Sequence, residues 1–77
     1  MEYLDEVCRK KAATIFRSGL YLYGYPHTLE GLNRLRDYCY AKLQTLNREE
    51  KPLVEEYLKD LLNIYLALLL DYNFVYQ

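Results

Sequence analysis

Seventy-seven residues give room for one helical domain and no large pocket, because a chain this short buries only about 60 to 65 per cent of its unfolded surface. A hydrophobic content of 52 per cent beside 27 per cent charged residues excludes a disordered chain, and a net charge of −1 supplies no strong field for nucleic acid or an anionic membrane. The charge is uneven: residues 1–46 hold seven basic and five acidic groups, giving +2, and residues 47–77 hold three and six, giving −3.

The chain opens on the acidic Met1-Glu-Tyr-Leu-Asp-Glu6, without the apolar run of a signal peptide, and a cytoplasmic protein is expected. From Leu4 the apolar residues Leu4, Val7, Cys8, Ala12, Ile15, Phe16, Gly19, Leu20 and Tyr23 recur at three- and four-residue spacing. This predicts a first helix over about residues 3–23. Gly24 then suits a left-handed C-terminal cap, and Pro26 blocks continuation. Gly19 lies on the apolar face at a cost near ~1 kcal/mol against Ala, which predicts the close approach of another helix.

Thr28 is the N-cap expected for a second helix, with Glu30 in its first turn, where the helix dipole favours an anion. Leu29, Leu32, Leu35, Cys39, Leu43 and Leu46 carry that helix over about residues 29–46. The polar stretch Asn47-Arg-Glu-Glu-Lys-Pro52 breaks it, and Pro52 suits the first turn of a third helix over about residues 52–72, with residues 73–77 as a tail.

Short connections force neighbouring helices to be antiparallel, so the expected fold is an all-α, up-down-up three-helix bundle forming one domain over residues 1–77. Folding the second helix back sets Phe16 opposite Leu35, Ala12 opposite Cys39 and Cys8 opposite Leu43. Folding the third sets Leu46 near Leu53, Leu43 near Tyr57, Leu35 near Ile64 and Leu32 near Leu68. Nine of the ten residues Leu61 to Leu70 are apolar or aromatic, more than one buried stripe needs. Leu62, Tyr65, Leu66 and Leu69, with Tyr72, are left facing away from the first two helices. These residues define an expected homodimer interface on the third helix. A segment bracketed by Lys59, Asp60 and Asp71 is too short to span a membrane.

Cys8 and Cys39 sit about one turn out of step on adjacent helices, beyond the roughly 7 Å Cα limit of a disulfide, and are expected as buried thiols. His27, the sole histidine, has only Glu30 nearby and reads as a turn residue. Glu55, Glu56 and Asp60 contain an i, i+4 carboxylate pair that a second chain would have to complete into a cation site. Lys59 among them makes a solvated face the simpler reading. Neither a cofactor nor a metal is expected, and no catalytic signature is present.

Ten tyrosines without a tryptophan are the most unusual feature of the composition. Tyrosine combines apolar area with a polar tip at little rotamer cost, which suits it to interfaces. The cluster Tyr21, Tyr23 and Tyr25, together with Arg17, Arg34, Tyr38 and Tyr40, is the expected contact surface for a protein partner. The function expected is therefore a non-enzymatic interaction module, an inhibitor, adaptor or regulatory subunit of cellular or phage origin. The alternative is a nucleic-acid-associated regulator that uses the stripes Lys10, Thr14, Arg17, Tyr21 and Arg34, Tyr38, Lys42, although Asp37 lies beside the second and no basic recognition helix follows a helix-turn-helix turn.

Overall fold

The structure is a computed structural model that describes the backbone of residues 2–76 and the side chains of residues 3–71. It is a three-helix bundle of α1 (Glu2–Tyr23), α2 (Leu29–Leu43) and α3 (Lys51–Tyr76), with every helix packed on the other two. The bundle measures 45 × 22 × 16 Å, and α3, at about 39 Å, runs most of its length. No helix of the described residues is long and apolar enough to cross a membrane.

The first turn forms as the sequence anticipates. Gly24 adopts φ 76° and its N–H donates to the Leu20 carbonyl at 2.7 Å, closing α1 with a left-handed cap. Thr28, in extended backbone geometry, accepts the Gly31 N–H on its hydroxyl at 3.0 Å and opens α2. The second turn comes one helical turn earlier than expected, since α2 ends at Leu43 and not at residue 46. Thr45 is the cause: its hydroxyl donates to the Lys42 carbonyl at 2.6 Å, and its N–H takes the same acceptor at 3.0 Å. A side chain that competes for helical carbonyls in this way tightens and stops the helix. Asn47 then starts the approach to α3, its side chain accepting the Glu50 N–H at 3.0 Å and its carbonyl the Lys51 N–H at 3.1 Å. Residues 73–76 continue α3 without a break, and the side chain of Tyr72 and residue Gln77 lie outside the described residues.

Cys8, Ala12 and Phe16 of α1 meet Leu35, Cys39 and Leu43 of α2 in one buried cluster, completed by Leu32, Val54, Leu58 and Leu62. Gly19 marks the close approach of α1 and α2, for a Cβ there would lie 2.5 Å from Leu35 Cδ1 and 3.0 Å from the Tyr38 ring. Both cysteines are buried free thiols.

The rotation of α3 differs from expectation. Ile64 and Leu68, assigned to the core opposite Leu35 and Leu32, are 54 % and 57 % exposed, while Leu62 and Leu69, assigned to a dimer interface, are 9 % and 5 % exposed. Tyr65 and Leu66 are half-buried, and both pack against the same core. The buried residues of α3 are Val54, Leu58, Leu62 and Leu69, with Tyr65 half-buried. The expected Leu53 and Tyr57 are half-buried and pack against the cluster, but from Ile64 on the inward stripe lies one residue later than expected, a rotation of about 100°. Where a helix is apolar all round, its pattern does not choose between adjacent stripes, and packing decides.

Candidate functional site

Among the described residues, the large exposed hydrophobic side chains are not scattered. Tyr21, Leu22, Tyr23, Tyr25 and Leu29 come from the end of α1 and the turn into α2, and Ile64, Leu68 and Leu70 from the stretch of α3 beside that turn; only Tyr3 lies elsewhere. Gly24 and Pro26 account for this placement. The cap reverses the chain within a few residues, so Tyr23 and Tyr25 are held on either side of it, and both are exposed. α3 itself continues seven residues past Leu69, about 10 Å.

Three aromatic contacts anchor the end of the bundle. Tyr25 stacks on Tyr65 with ring centroids 6.1 Å apart, and Tyr65 packs at 5.1 Å on the buried Phe16, so the turn is tied to the core through α3. On the other side Tyr23 meets Tyr38 edge-on at 5.9 Å, and Lys42 Nζ lies 5.7 Å from the Tyr38 ring centre. Burial, reinforced by the neighbouring Tyr25, pushes the Tyr65 hydroxyl above its ordinary value. Between the turn and α3 lies a groove of about 240 Å³ lined by Tyr25, Pro26, His27, Tyr65, Leu68 and Leu69.

The expected contact residues are only partly brought together. Tyr21, the most exposed at 90 %, shares a shallow depression with Arg17 and Leu22 on the outer side of α1. Tyr23 and Tyr25 flank the turn. Arg34 stands on the outside of α2 and is held at 3.0 Å by Glu30 one turn before it. Tyr38 and Tyr40 are half-buried and pack against the core, which makes them supporting residues before they are contact residues. Leu22, Leu29, Ile64 and Leu68 were absent from the expected surface. For Ile64 and Leu68 the excess of apolar residues in α3 was the available signal, but it was assigned to the wrong stripe.

The opposite end of the bundle is polar. Tyr57 donates a hydrogen bond to Asp5, and Arg9 donates to both Asp5 and Tyr57 at 3.3 Å while its guanidinium lies 5.1 Å from the Tyr57 ring centre. Lys11 places its ammonium 2.7 Å from each carboxylate oxygen of Glu50, the one buried charged residue among those described. Cys8 contributes a weak sulfur hydrogen bond to the Glu50 carbonyl at 3.8 Å. Among the described residues no three His, Cys, Asp or Glu side chains come together as a metal site. Glu55 instead pairs with Lys59 at 3.6 Å.

No family model matches the chain, and neither the curated proteins nor the solved structures contain a significant match. The reading of the site therefore stands on its geometry.

Proposed function

We propose that this chain is a protein-binding module, acting as an inhibitor, adaptor or regulatory subunit through the tyrosine-rich apolar end of the bundle. The observation that carries the reading is that, among the described residues, eight of the nine large exposed hydrophobics lie at that end. Apolar side chains scattered singly over a surface need no explanation, but their concentration at one end of a bundle supports a contact site there. Tyr25, held against Tyr65, and Tyr23, held against Tyr38, meet a partner with little further loss of side-chain freedom. The core of the contact is Tyr21, Tyr23 and Tyr25 with Leu22, Leu29 and Leu68, and Arg17 and Arg34 stand at its rim.

The basic stripes give the nucleic-acid reading less support. Of the four stripe cations Lys10, Arg17, Arg34 and Lys42, Arg34 is paired with Glu30 and Lys10 with Glu6 at 3.7 Å, so half of that positive charge is already balanced by carboxylates.

The test is affinity capture from an extract of the source cells, comparing the wild-type chain with the Tyr21→Ala/Tyr23→Ala variant. A protein held by the wild type should bind the variant at least tenfold more weakly, with the helical circular dichroism of the variant preserved. Undiminished binding by a folded variant would remove the tyrosine surface. Retention that instead collapses between about 50 and 200 mM salt would mark phosphate contacts.

A further inference from the structure

The outer face of α3 supplies a more specific feature. Asp60, Ile64, Ala67, Leu68 and Asp71 fall at i, i+4, i+7, i+8 and i+11, which places them along one side of the helix, and all five are exposed. An apolar stripe is thus bracketed by a carboxylate at each end, about 16 Å apart. Among the described residues neither Asp60 nor Asp71 has a basic partner within 4.0 Å, whereas Asp5, Glu6, Glu30, Asp37, Glu50 and Glu55 all do. The groove lined by Tyr25, Tyr65, Leu68 and Leu69 opens beside the stripe, with room for an apolar anchor.

We propose that this face docks an amphipathic helix of the partner protein whose apolar stripe is flanked by Lys or Arg at both ends. The inference rests on the protein-binding reading and adds the chemistry of the partner. Helix-on-helix recognition uses apolar anchors at three- and four-residue spacing, and Asp60 and Asp71 stand where flanking cations would meet them. A second copy of this chain fits the same face poorly. Antiparallel self-pairing centred between Ile64 and Leu68 sets Asp60 opposite residue 72, against the Asp71 of the other copy, and parallel pairing sets each aspartate against itself. Either arrangement brings like charges together at both ends of the stripe.

The test uses the full chain and a synthetic three-turn helical peptide with Leu at i, i+4 and i+7, made in two forms, with Lys at both ends or with Glu at both ends. By fluorescence anisotropy at low salt the Lys-flanked form should bind about tenfold more tightly, and the Asp60→Lys/Asp71→Lys variant should invert the preference. Equal affinity for the two forms, or a preference that charge reversal leaves unchanged, would overturn the proposal. So would light scattering that showed a wild-type dimer at about 10 μM abolished by Ile64→Asp, because the face would then belong to a second copy. If neither peptide binds while capture still depends on Tyr21 and Tyr23, the helix-docking inference falls and the protein-binding reading stands.

Discussion

Gly19 and Gly24 lie close together at the end of α1 but are needed for opposite reasons. At Gly24 a Cβ would meet nothing within 4 Å, yet φ 76° is a conformation that L residues enter at a cost, so Gly24→Ala should lower stability by about 1 kcal/mol through the backbone alone. At Gly19 the backbone is helical and the space is missing. Alanine there gains about 1 kcal/mol of helix propensity, but its methyl group would press on Leu35 and Tyr38, and overpacking of this kind costs about 1 to 3 kcal/mol. Gly19→Ala should therefore be destabilising, and Gly19→Val markedly more so, by urea denaturation. A Gly19→Ala protein more stable than the wild type would mean that the two side chains move aside freely. Gly19 was legible in the sequence because a glycine on the apolar face of a long helix has few other uses. Its partners were not, since they depend on the register between two helices.

At the scale of the element, α3 separates what a pattern can specify from what it cannot. Its existence, its Pro52 start and its burial were legible, whereas its rotation was not, because Leu61 to Leu70 offers an apolar residue on every side. Substitution decides the matter directly. Leu69→Ala should cost about 2 to 4 kcal/mol by leaving a cavity in the core, while Leu68→Ala, one residue away and exposed, should change stability by less than about 0.5 kcal/mol. The reverse order in a pair of thermal melts would restore the original face. The end of α2 was misread for a local reason, as Leu46 continues the spacing while the Thr45 hydroxyl withdraws the Lys42 carbonyl. Glu50 was read only as part of a polar break, yet it closes the Asn47 turn and receives Lys11 from α1. Lys11→Met should strand that buried carboxylate at a cost of about 2 kcal/mol, scaled down from a fully buried pair because Lys11 is partly exposed. Lys11→Met/Glu50→Gln should recover much of the loss, and a double variant no better than the single one would show that the pair contributes through packing.

Across the whole molecule, polar latches and apolar surface are segregated: the Lys11–Glu50 pair and the hydrogen bonds of Tyr57 to Asp5 and Arg9 tie α1 to the start of α3 at one end, aromatic contacts tie α3 to α1 and the first turn at the other, and two buried thiols lie in the cluster between. Salt and pH should therefore act on different parts of the bundle. High salt weakens the surface pairs modestly and leaves the middle untouched. Alkaline pH reaches the middle, because burial raises the Cys39 thiol from 9.0 to about 11 and also raises Cys8. A raised folded-state value means that the native chain holds its proton where the unfolded chain has lost it. The resulting stabilisation is complete below pH 9, the value of the unfolded thiol, and is lost as pH climbs to about 11, on the order of 2 kcal/mol for Cys39. Tyr65, raised from 10.0, adds to the loss at the upper edge of that window. Urea midpoints measured from pH 8 to pH 10.5 should fall for the wild type. For Cys39→Ala they should start lower, because the core has lost a sulfur, but decline with a shallower slope. Parallel slopes would show that ionisation of Cys39 is not the source of the decline. A thiol reagent checks the same point: with the thiol buried and protonated, the rate at Cys39 in native protein should fall far below that in urea and rise only as the bundle opens.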